Sequence, residues 1–154
     1  MGAMTRIVRT LPALALVLLA GCTSQPAVKD ASFINVDTPG VLGFENGDCF
    51  LDLEENRALG EEMLTTTECV GASNQVYTFV ELSDGPWDEE RVAEEATALC
   101  EEGFDELWGK PGESDLAFYP APPSERSWAE GDRDAMCVVY SLEGRFTVDP
   151  LERA

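Results

Sequence analysis

The chain has 154 residues, with 30 Asp and Glu against 10 Lys and Arg, no histidine, and a formal net charge of −20. So acidic a surface repels phosphates, which excludes a nucleic-acid binder, and it opposes docking flat on an anionic leaflet. Without histidine, Ser-His and Cys-His nucleophile systems are excluded as well.

At the N-terminus, Arg6 and Arg9 precede an apolar run from Leu11 to Ala20, and small residues follow at once. This is the pattern of a secretion signal. The run is about half of the roughly 20 residues that a spanning helix needs. Leu19-Ala20-Gly21-Cys22 resembles the lipobox of bacterial lipoproteins. The resemblance implies that residues 1–21 are removed and that the Cys22 thiol carries a thioether-linked diacylglycerol. A further acyl chain such as palmitate would make the anchor stable, at about 0.8 kcal/mol per buried methylene. The mature protein would then sit on the outer face of the cytoplasmic membrane, facing the cell wall. Arg6 and Arg9 leave with the signal and no acid does, so the mature charge becomes 8 − 30 = −22.

Residues 22–43 read as a flexible tether rich in Ser, Thr, Pro, Gly and Ala, in which only Lys29, Asp30 and Asp37 are charged. A coil of that length spans on the order of 25 Å. That exceeds the screening length of about 8 Å at physiological salt, so the acidic domain clears the lipid charges.

The remaining residues, 44–154, suit one domain. Gly47-Asp48 opens a strand in which Cys49, Leu51 and Leu53 share a face, and Thr65 to Val70 reads as a second strand. Gly71 to Gln75 carries turn residues before a strand from Val76 to Leu82. From Asp88 to Trp108 the apolar residues Val92, Ala96, Leu99, Cys100, Gly103 and Leu107 recur at intervals of three and four, and Gly109 and Pro111 end the helix. Leu116 to Tyr119 is a short extended piece. Ala135 to Leu142 is a clear strand, Glu143-Gly144 a turn, and Arg145 to Val148 a hairpin partner. Strands, one helix, then strands imply an α+β domain whose antiparallel sheet is covered by the helix.

Apart from Cys22 the cysteines are Cys49, Cys69, Cys100 and Cys137. An even set in an exported chain implies two disulfides. Zinc is disfavoured by the absence of both a C-x-x-C pair and histidine. Of the three connectivities, Cys49 with Cys69 and Cys100 with Cys137 is favoured because each joins neighbouring elements. Each loop closure contributes roughly 3 to 4 kcal/mol.

The runs "GDCF", "NQVYTFVEL" behind the second cysteine, "ALCEEGFDELWG" and "PPSERSWAEGDRDAMCVV" together resemble the septum-formation domain family of actinobacterial envelope proteins. The resemblance spans about Gly47 to Val139. It makes Cys49, Cys69, Cys100 and Cys137 the family cysteines and places Trp128, Gly131, Asp132 and Arg133 in its closing motif. The family's histidine falls near Ser73 and its glutamate near Gln75, so this chain departs from the pattern there. If that histidine only ties a turn, Ser73 and Asn74 can replace it with side-chain hydrogen bonds to the backbone. The implied role is in septum formation or envelope assembly.

Trp128 and Arg133 are the candidate partner-binding residues, an aromatic face beside a cation. The structural alternative has Trp128 plugging the end of the sheet and Arg133 pairing with Asp132, Asp134 or another carboxylate. Catalysis by Ser-Lys pairing is poor, with Lys29 in the tether and Lys110 at a helix end. Glu90, Glu94 and Glu101 lie on the helix face away from the core, and Arg91 offsets Glu95 one turn on. The acidic loop Glu130 to Asp134 lacks EF-hand spacing. No cofactor or metal is expected.

The expectation is therefore a non-catalytic binding or assembly module of the envelope, attached to the membrane by lipid and partnered by envelope or division proteins. Two rivals stay open, a hydrolase using paired carboxylates and a small-ligand carrier. A carboxylate-lined cleft would favour the hydrolase, an apolar cavity the carrier, and a closed core with a flat patch the binding module.

Overall fold

A computed structural model describes residues Val28–Ala154, so the secretion signal, the lipobox and Cys22 lie outside the described residues. In chain order the elements are β1 (Cys49–Phe50), α1 (Leu53–Ala58), β2 (Thr66–Thr67), β3 (Asn74–Glu81), α2 (Glu89–Trp108), β4 (Leu116–Ala121), α3 (Glu125–Ala129) and β5 (Asp134–Ser141). The strands form one antiparallel sheet in the order β2-β1-β3-β5-β4. This is the expected α+β fold, with α2 as its main helix and both favoured disulfides, Cys49–Cys69 and Cys100–Cys137, formed.

The apolar run of β5 follows from its place in the sheet. It lies between β3 and β4 and is buried on both faces from Ala135 to Ser141. Such a strand has no solvent side on which to alternate. On one face Cys137 and Val139 join Tyr77, Leu116, Cys100 and Phe104 under α2. On the other, Met136, Val138 and Tyr140 join Val76 and Tyr119. A bulge between Val76 and Thr78 sets Tyr77 apart, and its hydroxyl donates to the Cys100 carbonyl at 2.5 Å.

The second face is covered by residues 28–44, so the described part of the expected tether, 28–43, packs onto the domain. Ile34, Val41 and Phe44 are buried in the core with Phe50, Tyr119 and Val138, and Phe44 stacks on Phe50 at 4.6 Å between ring centroids. Three long-range links hold this strap down. The Val36 amide donates to the Pro122 carbonyl, the Leu64 amide donates to the Pro39 carbonyl, and Lys29 is buried. At Gly40, with φ +95°, a Cβ would stand 2.1 Å from the Leu64 carbonyl oxygen, so no other residue fits. The strap has neither helical nor strand periodicity, which is why its composition reads as linker.

Other boundaries differ for local reasons. The first strand stops after Phe50 because Asp52 caps α1, its amide donating to Glu55 Oε2 at 3.1 Å. The second strand is cut to Thr66–Thr67, both exposed at the sheet edge. Asn74 and Gln75 belong to β3, not to a turn. Arg145–Val148 forms no strand, because β5 already has a neighbour on each side. Phe146 instead exchanges backbone hydrogen bonds with the 71–72 loop and is buried.

Candidate functional site

Trp128 stands at the C-terminal half of α3, a single-turn helix started by Ser124, whose hydroxyl accepts from the Ser127 amide. Its ring is 4% exposed, and its indole N–H donates to the Gly85 carbonyl at 3.0 Å. The Arg133 guanidinium lies 3.8 Å from the ring centroid and that of Arg91 lies 5.3 Å from it. Arg133 is also bonded to Asp84, at 2.9 Å, and donates to the carbonyls of Trp128 and Asp132. That guanidinium holds the Asp84 carboxyl below the usual carboxylate range. The two candidate partner-binding residues are thus brought together, but they engage each other and the loop before α2. The carboxylate that Arg133 pairs with is Asp84, not a neighbour in its own loop.

A second constellation surrounds Lys29. Its ammonium donates to Asp52 Oδ1 at 2.6 Å and to Asn74 Oδ1 at 2.7 Å. The rings of Phe33, Tyr140 and Tyr119 stand 4.9, 5.1 and 5.8 Å from the nitrogen. Three aromatic faces and a carboxylate form the kind of enclosure that recognises ammonium groups, and here the chain fills it with its own side chain. Burial lowers the Lys29 pKa, against the opposing pull of Asp52. Burial likewise pushes the Tyr119 hydroxyl well above its ordinary value, so it keeps its proton and donates to Asn74. Sequence reasoning missed this cluster because Lys29 read as part of a tether.

Ser73, Asn74 and Gln75 fall beside it. Ser73 is buried and its hydroxyl donates to Glu55 Oε2, while Asn74 donates to the Phe50 carbonyl and to Asp52. The Gln75 amide donates to the Gly47 carbonyl and to Asp149, and its carbonyl accepts from the Leu151 amide. These residues knit the strap, β1 and the C-terminal turn together.

The third feature is open to solvent. A groove of about 900 Å³ runs between the strap, α2 and the β4–α3 connection. The strap supplies Asp30 and Asn35, α2 supplies Glu89, Ala93, Glu94, Ala98 and Glu101, and the far wall is Pro122 to Glu125. Glu89, Glu94, Glu101 and Glu125 are exposed. Glu94 and Glu101 are two of the carboxylates that the helical spacing turned away from the core; Glu90, the third, is exposed but outside the groove. The groove escapes sequence reasoning because its walls come from segments about 60 and 30 residues apart in the chain.

All four described cysteines are in disulfides. Among the described residues no group of three or more His, Cys, Asp or Glu gathers closely enough to hold a metal ion. Among the described residues no helix is long and apolar enough to cross a membrane. Comparisons with protein families, with curated proteins and with solved structures each gave no match to this chain.

Proposed function

We propose that this chain is a lipid-anchored, non-catalytic binding or assembly module of the cell envelope. Acylated Cys22 holds it on the outer face of the cytoplasmic membrane, and its partners are envelope or division proteins, as the resemblance to septum-formation domains implies. The observation that supports this reading best is the open groove against α2, laid on a domain whose core is closed on both faces of the sheet. Its carboxylates do line a cleft, the feature that favours a hydrolase. A glycosidic general acid, however, works from an apolar, desolvated setting, whereas Glu89, Glu94, Glu101 and Glu125 stand in solvent. A carrier would enclose its ligand, and this groove is open and rimmed with charge.

The strap shortens the reach of the anchor. Between Cys22 and Lys29, the first deeply buried residue among those described, lie the six residues Thr23 to Val28. Fully extended, the link reaches about 25 Å. The domain therefore works close to the lipid surface.

Two variants test the proposal in dividing cells. Cys22→Ser shifts the protein from the membrane fraction to the soluble envelope fraction; unchanged fractionation overturns the anchor. A photo-crosslinking amino acid at Ala98, exposed in the groove, captures particular envelope proteins reproducibly and only from the anchored chain. Glycan adducts, or none, overturn the binding module.

A further inference from the structure

We propose that the groove beside α2 takes an extended polypeptide segment carrying several lysine or arginine side chains. This rests on the binding-module reading and names the chemistry of its partner. The groove is rimmed by five carboxylates, Asp30, Glu89, Glu94, Glu101 and Glu125, which come from both walls, and among the described residues no Lys or Arg lines it. The chain's own cations are committed elsewhere, since seven of the eight bases in the described residues form ion pairs, Lys29 with Asp52 and Arg126 with Asp37 among them. Asp30 is held in place by the Ser32 amide and hydroxyl, which donate to one of its oxygens at 2.9 and 2.6 Å. Those hydrogen bonds keep its carboxyl below the usual range and favour its charged form.

The spacing of these charges selects a long cationic partner over a compact one. The carboxylates do not converge on a point where one metal ion could sit. Along α2, Glu89 to Glu101 covers about 18 Å at 1.5 Å per residue. A polypeptide rising about 3.3 Å per residue needs five or six residues to follow that length, and side chains about two and then three residues apart meet Glu89, Glu94 and Glu101 in turn. Ala93 and Ala98 keep that wall low enough for a backbone to approach. Trp87, half-buried at the groove, offers an aromatic face on which a guanidinium can stack.

The full chain, purified in detergent, is titrated against a fluorescent twelve-residue peptide of alternating Lys and Ala, with an alternating Glu-Ala peptide as control. The triple variant Glu89→Gln, Glu94→Gln, Glu101→Gln weakens binding of the lysine peptide on the order of tenfold, as expected for three exposed charge pairs. A triple variant of equal charge elsewhere, Glu61→Gln, Glu62→Gln, Glu68→Gln, at exposed positions outside the groove, changes it less than twofold. Equal losses in both triples overturn the site in favour of the general field of an acidic protein. Equal affinity for the Glu-Ala peptide overturns the charge argument. If crosslinking from Ala98 captures a partner whose contact peptide lacks Lys and Arg, the cationic segment is wrong while the binding module stands. If the lysine peptide binds the groove but cells yield no captured protein, the module fails while the groove chemistry stands.

Discussion

Lys29 shows how one residue can change the meaning of a whole segment. Its side chain is 6% exposed and bonded to Asp52, whose own side chain is 27% exposed. Taking the ammonium out of water is costly, and the pairing with Asp52, the Asn74 carbonyl and three rings offsets that cost. Removing the charge alone strips Asp52 of its counter-ion, leaving it the Asn74 amide as side-chain donor, and leaves the Asn74 carbonyl the Tyr119 hydroxyl. Lys29→Met therefore destabilises the fold by about 3 kcal/mol, the low end for a broken buried pair because Asp52 keeps some solvent. The urea midpoint measures it, and an unchanged midpoint would mean that the Lys29 pairing adds nothing to the domain. None of this was legible in the sequence. A lysine between Val28 and Asp30 has the neighbours of a linker residue, and the rings that enclose it come from positions 33, 119 and 140.

At the scale of elements, one disulfide joins the helix to the sheet and the other staples the sheet's own edge. Cys100–Cys137 ties α2 to β5 across the core, closing 37 residues, and Cys49–Cys69 ties β1 to the chain just beyond β2, closing 20. Loop-closure entropy makes the first worth about 4 kcal/mol and the second about 3. Replacing both cysteines of a pair by alanine lowers the urea midpoint in that order, with the Cys100–Cys137 removal the more damaging. The reverse order would show that strain or residual structure outweighs chain entropy. The pairing was legible because each cysteine sat on an element whose neighbour could be read. The helix was legible from its spacing, although Phe104, fully buried beneath it, was not among the residues that the spacing singled out. The short helix α1 went unread despite Asp52 at its N-cap and Glu55 three residues on, since two strand-like residues precede it and the apolar alternation of Cys49, Leu51 and Leu53 masks the cap.

Across the whole molecule the charge balance dominates, and the groove belongs to that balance. Its carboxylates on α2 were legible as a solvated face, but the strap and the proline wall that make this face into a groove were not, because long-range placement leaves no local pattern. Thirty acids face ten bases in the chain, and only seven of those acids are in ion pairs within the described residues. Two opposing effects follow when salt is added. The pairs weaken, at up to about 1 kcal/mol each for the exposed ones, while repulsion among the many remaining carboxylates is screened. Raising ionic strength from about 0.01 to 0.15 M shortens the screening length from about 30 to about 8 Å. The longer distance lets carboxylates repel one another across most of a domain, whereas the paired groups stand within 3.5 Å of each other and lose little. Repulsion therefore loses more than attraction does, and the melting temperature rises by about 5 °C, near 1 kcal/mol for a domain of this size. Circular dichroism at the two salt concentrations reads the shift. A fall would mean that the seven pairs, Arg133 against Asp84 and Arg145 against Glu55 among them, hold the fold more strongly than the excess acid strains it.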